Sequence, residues 1–263
     1  MKSYMLVIFL FLYAGVLDAK ESERTLEKLG YSSTIESFER AIKRDDLEAL
    51  KIYIDSGIVD TFRKEKKNPI GTLAFHGSRE AFKLWLDYFN PPSGAYAYEK
   101  TMWFFIGIGK EKHAILLSEY IEDPNYTFDY GMSLLLTASQ QGMMTVVQKL
   151  VELGASPNAS DDFGNIAATL AIRNDNLETY KFLIKNTDFS KVTELSVKSL
   201  LGSIMRNRNF NVEALRFLFG TSNIPLTNAN YNILIRSERQ IGNQSTEAYQ
   251  LIEDAFKFVK ETW

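Results

Sequence analysis

The chain has 263 residues, 45% of them hydrophobic and 24% charged, a balance that excludes gross disorder and collagen-like or fibrous sequence. A formal net charge of -3 supplies no clustered positive field for nucleic acid, and the mixed charges read as a solvated surface. Cysteine is absent, which removes thiol nucleophiles, zinc–thiolate sites, disulfides and a cysteine-linked lipid anchor.

At the N-terminus, Lys2 precedes an uncharged, mostly apolar run from Met5 to Val16. Leu17-Asp18-Ala19 then leads into the polar stretch Lys20 to Arg24. The run is too short to cross a bilayer, which takes about 20 residues. It predicts a signal peptide over residues 1–19, cleaved after the small residue Ala19, and one soluble domain over residues 20–263. Export without disulfides fits a bacterial periplasm better than a eukaryotic exterior, with secretion as the alternative. The sequons at Asn125, Asn158 and Asn243 would matter only in a eukaryotic source.

From near Ser33 onward a period of about 33 residues sets the order of elements. One apolar column runs Tyr53, Trp85, Leu117, Leu150, Leu183, Leu218, Ile252, and a second lies three residues earlier: Leu50, Phe82, Ala114, Val147, Tyr180, Leu215, Tyr249. An i, i+3 pair at a fixed long period predicts one buried helix face in every unit. Five residues before the first column comes a mostly acidic column (Glu48, Glu80, Lys112, Thr145, Glu178, Glu213, Glu247), which suits the first turn of that helix. Pro92, Pro124, Pro157 and Pro225 fall seven residues after the first apolar column, beyond the helix end. Small residues (Ala41, Ala74, Ala138, Ala171) allow close packing of a preceding helix, and Gly154 marks a left-handed helix end.

Two of these units carry a family resemblance. Asp129-Tyr-Gly-Met-Ser-Leu-Leu-Leu-Thr-Ala through Leu153-Gly-Ala-Ser-Pro-Asn-Ala159 resembles an ankyrin repeat, as does Asp162-Phe-Gly-Asn-Ile-Ala-Ala-Thr-Leu-Ala through Ile184. Asp46 to Gly57 looks like the second half of another. The family's Thr-Pro-Leu-His turn is replaced by Ser133-Leu-Leu-Leu136 and Ile166-Ala-Ala-Thr169, which lowers the stability expected of single repeats. The resemblance implies a mainly α solenoid of about seven stacked helix-turn-helix units, each followed by an extended finger. Units near residues 20–45 and 195–263 would serve as atypical caps, with Glu253 at a position that is apolar elsewhere.

Catalytic constellations are missing. His76 and His113 are the two histidines, without an acidic neighbour at ligand spacing; His113 falls beside the buried column and His76 on a first helix. No Gly-x-Ser-x-Gly or His-Glu-x-x-His string occurs, and Gly107-Ile-Gly109-Lys110 lacks the spacing of a phosphate loop. No enzyme activity, cofactor or metal is expected.

What the resemblance implies instead is a protein partner, gripped by fingertips and first helices. The residue before each tip glycine is Tyr130 or Phe163, and the same register gives Tyr98 and Tyr231. Tyr96 and Phe128 lie two residues before a tip, with Tyr126 and Trp103 joining the cluster. Aromatics recurring at solvent-facing tips predict a row of anchors, and some would pack on adjacent fingers instead. First-helix positions in the groove are His76, Ile108, Gln140, Gln141, Arg173 and Asn174, a polar row able to add specificity. The chain also resembles exported ankyrin immunity or self-protection proteins, which occlude a secreted toxin or cell-wall hydrolase in the producer's periplasm. The alternative is a secreted effector or scaffold that binds a host or envelope protein. The free chain is expected to be a monomer.

Overall fold

A computed structural model describes residues 20–64, 70–88, 97–206, 211–225, 227–241 and 246–260. The signal peptide expected over residues 1–19 lies outside them, as do Tyr96 and Pro92.

The described residues are mainly helical, as the period requires. A first helix covers residues 20–28 (α1). It is followed by α2 (Ile35–Lys43), α3 (Leu47–Asp55), α4 (Ile58–Lys64), α5 (Ile70–His76), α6 (Arg79–Tyr88), α7 (Ala97–Gly107) and α8 (Glu111–Leu117). Then come α9 (Leu134–Gln141), α10 (Met144–Glu152), α11 (Ala167–Arg173), α12 (Leu177–Asn186), α13 (Glu194–Arg206), α14 (Val212–Thr221), α15 (Asn228–Ile241) and α16 (Thr246–Lys260). Seven first-and-second-helix pairs result: α2/α3, α5/α6, α7/α8, α9/α10, α11/α12, α13/α14 and α15/α16. Helix α4 falls outside the pairing. It buries Ile58, Val59 and Phe62, with the Phe62 ring 5.9 Å from that of Phe38.

The chain divides between Ser93 and Gly94 into two compact units. In the N-terminal unit α2 packs on α5 and α3 on α6. In the C-terminal unit the first helices α7, α9, α11, α13 and α15 pack each on the next, and the second helices α8, α10, α12, α14 and α16 do the same. Two helical layers follow from one repeating pattern, because a single pair cannot cover its own apolar face.

Every member of the first apolar column is buried, with Tyr53, Leu117, Leu150, Leu183, Leu218 and Ile252 at 0% exposure. Burying one such leucine contributes about 1.5–3 kcal/mol. The second column is buried too, except Tyr249, which is 42% exposed. In α16 the buried set is Ala248, Ile252 and Phe256, so the last helix is rotated by about one residue relative to the pattern. Tyr180 ties successive pairs by donating its hydroxyl to the Ala214 carbonyl at 2.9 Å.

The turn between the two helices of a pair repeats a backbone device. Asp45, Gly109, Gly142 and Asp175 take left-handed φ values of 54°, 78°, 69° and 61°. The next amide then reaches back to the first helix: Lys110 to the Phe105 carbonyl (2.8 Å), Met143 to Ala138 (3.0 Å), Asn176 to Ala171 (3.0 Å). These bonds satisfy carbonyls that the helix end would leave open. Gly154 ends α10 likewise (φ 98°), with the Ala155 amide on the Leu150 carbonyl at 2.9 Å.

A pair of fingertips and the network beneath them

Two fingers are formed in the C-terminal unit, each closed by an antiparallel bridge: Thr127 with Ser133, and Ser160 with Ile166. Ser133 then caps α9, its Oγ accepting the Leu136 amide at 3.2 Å, so serine at this turn keeps the capping role. Ile166 before α11 has no such oxygen.

Sequence at the tips dictates an unusual backbone. Tyr130 sits at φ 60° and Gly131 at 71°, both left-handed. The Tyr130 carbonyl accepts the Asp162 amide of the next finger at 3.0 Å, so the two fingers lie side by side. A Cβ on Gly131 would come within 2.8 Å of the Asp162 carboxylate and 3.0 Å of its backbone nitrogen, which explains glycine there. The side chains beyond are the most exposed large apolar groups among the described residues. Tyr130 is 69% exposed and Phe163 66%, their rings stacked with centroids 6.3 Å apart and planes 27° from parallel.

Phe163 is held from below. Asp161, buried, accepts the Phe163 amide (2.9 Å) and the Asn165 amide (2.7 Å) on Oδ1, and the Asn165 side-chain amide (2.8 Å) on Oδ2. Asn165 Oδ1 in turn accepts from Arg173 (2.8 Å) and from the Ser199 hydroxyl (2.8 Å), and Arg173 also donates to the Ser203 hydroxyl (3.1 Å). Arg173, exposed at the end of α11, thus fastens the finger to α13 through its guanidinium. Asn174 is likewise engaged internally, donating to the Leu170 carbonyl at 2.9 Å. Gln140 and Gln141 end α9 and are exposed.

A second aromatic group forms where the first finger leaves α8. Trp103, 42% exposed on α7, stacks on Phe128 at 5.1 Å and 24°, and Tyr126 meets Phe128 edge-on at 4.9 Å. The structure therefore brings five anticipated residues into two contacting sets: Tyr130 with Phe163, and Trp103 with Phe128 and Tyr126.

Tyr98 is not a fingertip. It lies in the first turn of α7, 7% exposed, with its ring 5.2 Å from that of Tyr120. No glycine follows it, so the left-handed tip turn has no residue to start it. Its neighbour Glu99, 1% exposed, accepts the Glu122 and Asp123 amides on Oε1 at 2.9 and 3.0 Å and fastens the chain after α8. Tyr231, the other expected tip, is within α15 and donates its hydroxyl to Glu253 at 2.7 Å. His76 is exposed at the end of α5, in the N-terminal unit. His113 is half-buried and stacks on Phe105 at 5.1 Å.

Leu195 escaped the sequence reading. It follows Phe163 by 32 residues, is 57% exposed, and its side chain lies over Gly164, 2.6 Å from where a Cβ there would stand. It continues the apolar row, but from the first turn of α13 and without a tip glycine to flag it. Elsewhere, an open cleft of about 400 Å³ is lined by Phe219, Ile224, Leu251 and Ala255, with Arg216 and Asp254. Arg216 is held by Glu247 and Asp254 accepts from Gln250, so those two polar groups are already engaged. Among the described residues no group of His, Asp and Glu is placed to hold a metal ion, and no helix is long and apolar enough to cross a membrane.

No curated protein matches the chain. Residues 135–184, which span α9 to α12 and include the second finger, match the family model described as ankyrin repeats (many copies), and with the seven helix pairs this supports the ankyrin-repeat family and a protein–protein interaction module.

Proposed function

We propose that this chain is an exported, non-enzymatic binding protein that occludes a secreted toxin or cell-wall hydrolase in the producer's periplasm, with the fingertip pair as its grip. The observation that carries the binding role is the Tyr130–Phe163 stack. Two large rings stand about two-thirds exposed, on fingers locked to each other and to α13. Rigid aromatics lose little entropy on docking and often hold the energetic centre of an interface. Export is supported by the Lys2 and Met5–Val16 pattern ahead of Ala19. The resemblance to periplasmic self-protection proteins supplies the class of partner.

The test is direct. The full gene is expressed in a bacterial host with a C-terminal tag, and the periplasmic fraction is sequenced from the N-terminus, where Lys20 is expected. A pull-down from the producer's periplasm should then recover an enzyme whose activity falls as purified chain is added. An intact Met1 in the cytosol would refute export, and an enzyme bound but fully active would refute occlusion.

A further inference from the structure

We propose that the surface received by the Tyr130–Phe163 tips is cationic: a segment of a partner protein that sets lysine or arginine side chains against the two rings. This inference rests on the docking reading above and adds the chemistry of what docks. Each tip ring is preceded by a carboxylate, Asp129 before Tyr130 and Asp162 before Phe163, and Glu194 stands before Leu195 in the same relation. All three acids are exposed. Glu194 is paired with Lys198 at 2.6 Å, whereas the side chains of Asp129 and Asp162 make no ion pair or hydrogen bond among the described residues. Two exposed carboxylates thus flank two rings that are each about two-thirds exposed.

The charges around the tips are segregated in the same sense. Residues 121–143 and 154–176, the fingers and first helices of two successive repeats, hold six carboxylates and one base, Arg173. That base is hydrogen-bonded to the neutral side chains of Asn165 and Ser203 and keeps its charge, so six carboxylates against one base leave these segments at -5. The other cations of these repeats, Lys149, Lys181 and Lys185, are on the second helices α10 and α12. A negative field over exposed rings attracts lysine and arginine, whose charge rests on a ring face within about 6 Å while their stems cover its edge. The same field opposes a second copy of this chain docking tip to tip, since carboxylates would face carboxylates. Charge complementarity therefore selects a basic partner over self-association.

Two fluorescein-labelled peptides, (Lys-Leu)5 and (Glu-Leu)5, serve as probes in anisotropy titrations against the full chain. The lysine peptide is expected to bind, to lose at least tenfold in affinity with Asp129→Asn/Asp162→Asn, and to lose as much with Tyr130→Asn/Phe163→Ser. Glu48→Gln/Glu80→Gln makes the same change in net charge in the N-terminal unit and should shift affinity less than twofold. Binding of neither peptide, equal binding of both, or equal loss in the two charge variants would overturn the proposal. Loss of both peptides in the aromatic variant with normal binding in Asp129→Asn/Asp162→Asn would leave the docking reading standing and remove the cationic class. Full lysine-peptide affinity in the aromatic variant would remove both.

Discussion

At the scale of single residues, Tyr130 carries the strongest sign of selection for something other than stability. A bulky residue at φ 60° costs about 1 kcal/mol relative to glycine, and its ring returns little of that by burial at 69% exposure. Tyr130→Gly is therefore expected to leave the thermal midpoint unchanged or raise it, as read by circular dichroism; a clear drop would show the ring to be structural. Tyr180 is the opposite case. Burial raises its phenol pKa far above the ordinary 10.0, and its hydroxyl is held by the Ala214 carbonyl. The folded state thus retains a proton that the unfolded chain releases. The contribution is complete below the unfolded pKa and declines as pH rises above about 10. Denaturant titrations should show wild-type stability falling more steeply above that pH than Tyr180→Phe, which has no proton to lose. Parallel curves would contradict the assignment.

At the scale of elements, the repeat was legible because each second helix needs the same buried face, and i, i+3 columns at a 33-residue period have no other simple cause. Leu150 and Leu183 sit at 0% exposure in α10 and α12, so Leu150→Ala or Leu183→Ala should each cost about 2–5 kcal/mol in chemical denaturation. A loss below about 1 kcal/mol would mean the column faces elsewhere. The fingertips were legible only where glycine marks the left-handed turn. Tyr130 and Phe163 precede such a glycine and are tips, whereas Tyr98 and Tyr231 do not and are helical. Spacing alone could not separate these cases, since register persists when the local backbone changes. Leu195 was missed for the converse reason, an apolar residue reaching the row from a helix start. The role of Arg173 was hidden because its partners Asn165 and Ser203 lie 8 and 30 residues away in sequence, a separation that no local pattern reports. Arg173→Ala should lower the melting temperature and loosen the second finger, seen as faster amide exchange at Phe163 and Asn165. Unchanged exchange at both would detach the network from the tip.

At the scale of the molecule, helix pairs of one pattern repeat, and the residues that the proposed grip uses lie on two fingers and the first-helix ends beside them. Within residues 121–186, six of the eight acids and the two exposed rings lie on the fingers and first helices, while the second helices carry the three lysines and ion pairs such as Lys181 with Glu178. Exposed pairs of that kind contribute little to stability, so the second-helix surface is free to vary without cost to the fold. The fingertip pair is the part that should not vary. The most direct measurement is the affinity of Tyr130→Asn/Phe163→Ser for the protein that the full chain recovers, taken beside its melting temperature. A loss of about 2 kcal/mol or more, roughly thirtyfold in Kd, with the melting temperature held, is the expected result. Unchanged affinity with the fold intact would contradict the account and move the interface away from the tips.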